Sequence, residues 1–374
     1  MKYTDEKVLE ALQMVVHPEK GKNLVELGMI ESLNIQNNRI NFNLKFTKVN
    51  DPLTNSIRKA CESAIKNLLG NEVEINIGIT PLDNSAQKIK PGSSKVLPGV
   101  KNIIAIASGK GGVGKSTVAV NLAIAMAKTG AKVGLLDADV YGPSIPKMFA
   151  LEGEQPSFKL VGDKEVLIPI EKYGVKVLSI GFFIDSKDAL IWRGPMATGA
   201  IKQLITQCDW GELDYMFIDM PPGTGDIHLT IVQEVPITGV IIVSTPQQVA
   251  LADAVKGIAM FTGEKINVPV LGLVENMAWF TPAENPDRKY FIFGKDGCKN
   301  MAAEMGIDFL GQIPLVQSIC EDGDAGRPSV LDQNNPAGDA FMMLAEKSMQ
   351  SLEKRNKLLD PTKKVEITNM DGCH

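Results

Sequence analysis

The sequence predicts an α/β protein, a doubly wound and mostly parallel sheet preceded by a small α+β domain. Three observations carry that prediction. From residue 101 on, short and nearly continuous apolar runs ("NIIAIAS", "KVGLLDAD", "DYMFIDM", "TGVIIVST", "VPVLGLVEN" and, late, "IDFLGQIPL") alternate with helical stretches. Strands without inside–outside alternation are the ones covered by helices on both faces. Before them, residues 84–100 carry prolines, paired serines and no periodicity, the composition of a linker. Before the linker, residues 1–83 alternate helical and strand patterns over the length of one small domain.

In that first domain an amphipathic helix is expected near 4–15, then strands "IESLNIQ" and "RINFNLKFT", a helix near 51–68 and a strand "VEINIGI" at 73–79. The second domain is expected over 101–348, near the upper end of single-domain size. Residues 349–374 are charged and weakly patterned and read as a helix end with a tail.

Composition narrows the function. The chain has 374 residues, 44% of them hydrophobic, enough to bury a sizeable core. With 39 basic against 44 acidic residues the net charge is −5, so no basic field draws nucleic acid. The start, "MKYTDEKVLEALQMVV", interleaves charge with apolar residues, unlike a signal or transit peptide, and no later run approaches a membrane span. A cytoplasmic protein with no membrane or nucleic-acid partner is the expectation. Five cysteines and three histidines are scattered, with no CxxC and no HxxxH, so neither a disulfide framework nor a sequence-local metal site is indicated.

"GKGGVGKS", Gly109 to Ser116, satisfies G-x-x-x-x-G-K-[ST] between an apolar strand and the helical "STVAVNLAIAMAKTG". That is the context of a P-loop, in which backbone N–H groups and a helix N-terminus cradle phosphates. The nucleotide set is Gly109, Gly111, Gly112, Val113, Gly114, Lys115, Ser116 and Thr117. Lys115 would bridge the β- and γ-phosphates and Ser116 would ligate Mg²⁺. Asp137 and Asp139 in "LLDADVYGPS" and Asp219 in "YMFIDMPPGTGD" sit at strand ends, where open α/β sheets hold ligands. Asp226 closes the glycine segment after Asp219, as a switch residue or a turn residue. No [NT]KxD stands where "VENM" is found, which favours ATP over GTP.

Lys110, a second lysine early in the loop, gives this motif the pattern of the deviant Walker A, and the chain resembles the ATPases that pair face to face. The resemblance implies a homodimer in which Lys110 reaches the partner's nucleotide, acting in catalysis with Lys115; a solvated surface lysine is the alternative. It also implies that Asp139 orients the attacking water, that Asp137 and Asp219 belong to the Mg²⁺ shell with Ser116, and that Asn276 reads the adenine edge. For Asn276 a structural cap is the alternative.

"DADVYGPSIPKMF", "LIWRGPMATGAIKQ", "DYMFIDMPPGTGDIHLT", "VSTPQQVALADAVKGI", "ENMAWF…YFIFG" and "FLGQIPL" narrow the likeness. Over 100–345 the chain resembles the Mrp/ApbC group of iron–sulfur cluster carrier ATPases. The N-terminal "HPEKGKNLVELGMIESLNI" resembles the small domain that precedes this ATPase and occurs alone in iron–sulfur assembly factors. Apo iron–sulfur client proteins and assembly factors are the implied partners.

The departures are specific. The resemblance implies a CxxC after "ENM" that pairs across the dimer to hold a [4Fe–4S] cluster, yet residues 278–294 contain no cysteine. Thiolates are the ligands such a cluster needs. In the first domain Asp51 stands where a cysteine precedes Pro-Leu, and His17 where an acid precedes "PE"; Cys61 reads as packing, as do Cys208 and Cys320. Cys298 and Cys373 are the thiols that could supply relocated ligands, against the readings of a helix-start cysteine and an incidental tail residue. The expected function is a slowly hydrolysing homodimeric ATPase in iron–sulfur cluster assembly and transfer. The alternatives are a ParA/MinD-like positioning ATPase and a nucleotide-switched scaffold that carries no cluster.

Overall fold

A computed structural model describes residues 4–18, 21–36, 39–46, 54–70, 72–81, 96–162, 164–183, 194–282, 284–285, 288–332 and 335–365. Two compact units divide the chain, one up to residue 93 and one from residue 94 on.

The first unit runs α1 (Asp5–Gln13), β1 (Ile30–Gln36), β2 (Arg39–Phe46), α2 (Thr54–Leu69) and β3 (Glu74–Pro81). β2 is central, antiparallel to β1 and parallel to β3. A parallel pair needs a crossover, and α2 supplies it. Alternation along β2 buries Ile40, Phe42 and Leu44 on one face, against Leu12 of α1 and Ile57, Cys61 and Ile65 of α2. Burial pushes the Cys61 thiol up to about 12, so it packs and does not react.

The second unit begins with β4 (Val100–Ala107), α3 (Lys115–Lys128), β5 (Val133–Asp137) and the short α4 (Ile145–Met148). The chain then forms a ribbon of β6 (Ser157–Val161) and β7 (Lys164–Ile168), an edge pair β8 (Ile170–Lys172) and β9 (Val175–Ser179), and α5 (Gly194–Thr206). The remaining elements are β10 (Leu213–Asp219), α6 (Asp226–Glu234), β11 (Gly239–Ser244), α7 (Gln248–Thr262), β12 (Val270–Glu275), α8 (Gly297–Met305), β13 (Phe309–Gln312), α9 (Gln317–Asp324) and α10 (Pro336–Leu358). Eight strands form one sheet in the order β13-β12-β11-β4-β10-β5-β9-β8. Every neighbouring pair is parallel except β8 on β9.

Each residue of β5 and β11 is buried, as the unbroken apolar runs require. The α3 helix is apolar around its circumference and is buried from Val118 to Met126. Its one internal amide, Asn121, is satisfied on both sides: Nδ2 donates to the Thr117 carbonyl and Oδ1 accepts from the Val330 amide.

Two boundaries differ from expectation. The linker expected to end at 100 ends earlier, because Val96 and Leu97 already pack on the core and Val100 opens β4. The tail expected from 349 is helical to Leu358, since Ser348, Ser351, Leu352 and Arg355 recur at helical spacing on a buried face. Beyond the helix the chain stays attached, with the Val365 amide donating to the Val232 carbonyl of α6 at 3.4 Å. Among the described residues no helix is long and apolar enough to cross a membrane.

Candidate functional site

Parallel strands end at one edge of the sheet, and their loops gather there. β4 lies between β10 and β11, with β5 one place beyond β10, so a crevice opens at the carboxyl end of β4 where the connections part. The phosphate loop fills it. Gly114 takes a φ of 80°, and a Cβ there would stand 2.2 Å from the Asn276 Nδ2. At Gly109 a Cβ would stand 2.1 Å from the Asp253 carbonyl of α7, so only glycine lets that helix close on the loop.

The sheet register sets Asp219 of β10 beside Asp137 of β5. Lys115, at the first position of α3, extends its Nζ to 2.7 Å from Asp219 Oδ1, and Ser116 Oγ donates to Asp219 Oδ2 at 2.6 Å. Asp139 Oδ2 is 3.9 Å from the same Nζ. Asp137 is fully buried; its oxygens accept from the Asp139 amide at 3.1 Å and the Ser179 hydroxyl at 2.8 Å. Burial, reinforced by the Asp219 charge, pushes the Asp137 carboxyl up to about 7. Burial also raises Asp219 and Asp139, opposed in both by Lys115. Three carboxyls thus share one lysine, an arrangement that favours further cations.

Lys110 is exposed, and among the described residues it makes no ion pair. Its carbonyl accepts from Ser108 Oγ at 3.0 Å, which shapes the first turn of the loop. The segment after β10 is stitched to the same turn, the Gly223 amide donating to the Ser108 carbonyl at 2.9 Å. Asp226 is the exposed first residue of α6, where a carboxylate suits the helix N-terminus. Two residues on, His228 is buried against Phe261 and, among the described residues, neither ring nitrogen has a hydrogen-bond partner. Burial holds its pKa down to about 4; the Gly225 and Pro221 carbonyls pull the other way, near the ring but outside hydrogen-bonding geometry.

Asn276 lies against the phosphate loop. Its Nδ2 donates to the Val113 carbonyl at 2.8 Å and the residue is buried, so the amide braces the phosphate loop. Met277 follows at a φ of 55°, and the chain then runs along β13's exit, with the Ala278 amide on the Ile313 carbonyl and the Leu315 amide on the Trp279 carbonyl. Phe280 and Tyr290 pair as an antiparallel bridge. Where the resemblance implied thiols, cations sit on rings: Lys289 Nζ lies 3.7 Å from the Trp279 centroid and Lys295 Nζ 5.0 Å from that of Phe291.

Cys298 takes the helix-start position that was one of its two readings. It enters α8 fully buried, its amide donating to Glu275 Oε2 at 2.7 Å and its Sγ 3.8 Å from the Thr245 carbonyl. Burial, with the Glu275 charge, pushes the thiol up to about 12, the opposite of what a cluster ligand needs. Cys320, expected to pack, is exposed on α9, while Cys208 is half-buried with its thiol raised to about 12 by burial. Cys373 and Asp51 lie outside the described residues. Among the described residues no group of three or more His, Cys, Asp or Glu side chains assembles as a metal site. A magnesium–nucleotide complex asks for less: a hydroxyl and one or two carboxylates beside the phosphates, which Ser116 and Asp219 fit.

The sequence reading missed Ser179, which fixes Asp137, and the Glu275–Gln312 pair at 2.7 Å that ties β12 to β13. Polar residues closing apolar strands were the available signal, the one that found Asp137 and Asp219.

Comparison with known proteins gives a consistent result. The family described as NUBPL iron-transfer P-loop NTPase, of ParA type, matches residues 99–349, and the iron-sulfur cluster assembly protein family matches 5–77. An iron-sulfur cluster carrier protein of Synechocystis is 47% identical over 89% of this chain and 93% of its own length. The iron-sulfur cluster transfer protein NUBPL of Dictyostelium discoideum is 46% identical over 71% of this chain and 81% of its own. Among solved structures, a nucleotide-binding protein of Archaeoglobus fulgidus in complex with ADP aligns with a TM-score of 0.55 at 39% identity, over 64% of this chain and 92% of that one. The Pyrococcus furiosus cell division ATPase MinD aligns at 0.50 and 24% identity over 67% of this chain and 98% of that one, which speaks to the fold alone. With the crevice, the strand order and these matches in agreement, the chain belongs to the NUBPL-type iron-transfer P-loop NTPases.

Proposed function

We propose that this protein binds ATP with Mg²⁺ in the crevice, hydrolyses it slowly as a face-to-face homodimer, and acts in iron–sulfur cluster transfer to apoproteins alongside assembly factors. The observation that carries the reading is the contact of Lys115 and Ser116 with Asp219 at the mouth of the loop, with Lys110 exposed beside it. Lys115 would exchange Asp219 for the β- and γ-phosphates of the substrate. Ser116 and Asp219 would hold Mg²⁺, which when bound offsets charge on the phosphate oxygens, and Asp137 would stand behind Asp219. Backbone amides from Gly111 to Thr117 would cradle the phosphates. Asp139 would orient the water that bonds to the γ-phosphorus as the bridging oxygen leaves with ADP. Lys110 would supply its charge to the partner's nucleotide. The cytoplasm is the proposed location; net charge and the lack of a membrane-crossing helix among the described residues fit that reading.

A second reading, a nucleotide-switched scaffold with no cluster, is favoured by one specific pair of facts: residues 278–294 lack cysteine and Cys298 is sealed in the core. Anaerobic reconstitution with iron and sulfide separates the two. Iron bound per dimer, retained in Cys298→Ser and lost in Cys373→Ser, supports the carrier. Iron at background supports the scaffold.

A further inference from the structure

The crevice lies at the carboxyl ends of the strands. At the opposite end, the loop into β12, the last turn of α10 and residues 359–365 enclose a cavity of about 470 Å³. Its wall carries four cations, Lys265, Arg355, Lys363 and Lys364, and one carboxylate, Asp360. Arg355 is only 8% exposed. Its guanidinium meets neutral acceptors: Asn356 Oδ1 at 3.1 Å, and the Asp360 carbonyl and Thr362 Oγ1 at 2.8 Å each. Among the described residues the Nε has no hydrogen-bond partner. Burial lowers the Arg355 pKa, with the Asp360 charge opposing. Among the described residues Lys265, Lys363 and Lys364 form no ion pair.

A clamp that merely held residues 359–365 to the helix would be complete with the Nη bonds. It would not call for three lysines around the same space, nor leave a buried guanidinium short of countercharge. Buried charge is stable when paired, and four cations facing one carboxylate lower their mutual repulsion by taking up an anion. The volume falls within the range of small-molecule pockets. A singly charged carboxylate would leave most of the cations unmatched, whereas a phosphate brings up to two charges and three acceptor oxygens to Arg and Lys donors.

We propose that this cavity binds a phosphate-bearing anion, with Arg355 at its floor and Lys265, Lys363 and Lys364 at its rim. The site is separate from the phosphate loop and does not depend on the reading of that loop. A free phosphorylated molecule and a phospholipid headgroup present the same chemistry.

Hydrogen exchange on the full chain, read peptide by peptide, tests it with inorganic pyrophosphate as the probe. Pyrophosphate is expected to slow exchange across 359–365, and the triple variant Lys265→Gln, Lys363→Gln, Lys364→Gln to need about tenfold more of it, the combined effect of three exposed ion contacts. Protection at 109–117 is expected to be the same in both proteins. Protection confined to 109–117, or unchanged across 359–365 in the triple variant, overturns the proposal. Vesicles containing a phosphoinositide, set against phosphatidylcholine vesicles, separate the sources. Protection by both pyrophosphate and phosphoinositide vesicles supports a headgroup site; protection by pyrophosphate alone supports a free ligand. Protection by phosphoinositide vesicles alone overturns the cavity in favour of surface charge.

Discussion

The crevice at β4 and the segment from Ala278 to Cys298 adjoin through Asn276, yet they are held together by different means. The crevice is built from backbone geometry and short charged contacts: glycine at 109 and 114, Lys115 and Ser116 on Asp219. The neighbouring segment is held by rings, cations and backbone bridges: Lys289 on Trp279, and Phe280 with Tyr290 and Leu315. The first kind of construction tolerates almost no substitution, because a Cβ or a lost charge meets backbone or an unpaired carboxylate. The second kind can exchange its chemistry while keeping its path. The two regions therefore differ in how much substitution each can absorb.

That contrast can be broken at its strong end first. Lys115→Ala is expected to weaken ATP binding about a hundredfold or more by calorimetry, since it removes a charge from both phosphate and Asp219. The same variant without nucleotide should melt lower, because a buried carboxylate loses its partner. Retained affinity would mean that the loop binds by its amides alone. Lys110→Ala is expected to slow turnover about a thousandfold as an in-trans finger while leaving affinity near the wild type; equal loss of turnover and affinity would count against the role across the dimer.

The next effect lies in α6. His228 has a pKa of about 4 in the folded protein, below its ordinary value. Below about pH 6.5 the unfolded chain takes up a proton that the folded one refuses, so this group's contribution is intact above that pH and declines as pH falls toward 4, by up to about 3 kcal/mol. The melting temperature of the wild type should fall over that window more steeply than that of His228→Gln, and parallel curves would remove His228 as the cause. Asn276→Ala should cost about 1–2 kcal/mol through the lost bond to Val113, with weaker nucleotide binding in proportion. At the tolerant end, Cys298→Ser should leave reconstituted iron unchanged, and a drop would show that the buried thiol becomes reachable.

The sheet, the helix order and the phosphate loop were legible because their signals are local: unbroken apolar runs, a glycine spacing, carboxylates closing strands. The three carboxyls around Lys115 were each found this way. How each is held was not, since Asp137 takes the hydroxyl of Ser179, contributed by a separate strand. Asn276 was placed at the right edge, but its bond to Val113 was not legible, because a carbonyl of the loop is not written in side chains. Cys298 read as a helix-start cysteine or a relocated ligand; the Glu275 carboxylate beneath α8, which takes its amide, was not legible because it comes from a different strand. The helix to Leu358 looked like a tail because its buried stripe is serine and arginine as well as leucine.

The contact of Lys115 and Ser116 with Asp219 carries one more consequence. On the proposed reading, the groups that would take phosphate and metal also hold one another, so the site contains its own competitor. The observed affinity is then the intrinsic affinity divided by the strength of that internal rival. Asp219→Asn weakens the rival while removing the metal's carboxylate. It should therefore shift the protein toward nucleotide without magnesium and away from nucleotide with it, a reversal of preference that a site without such self-occupancy would not display.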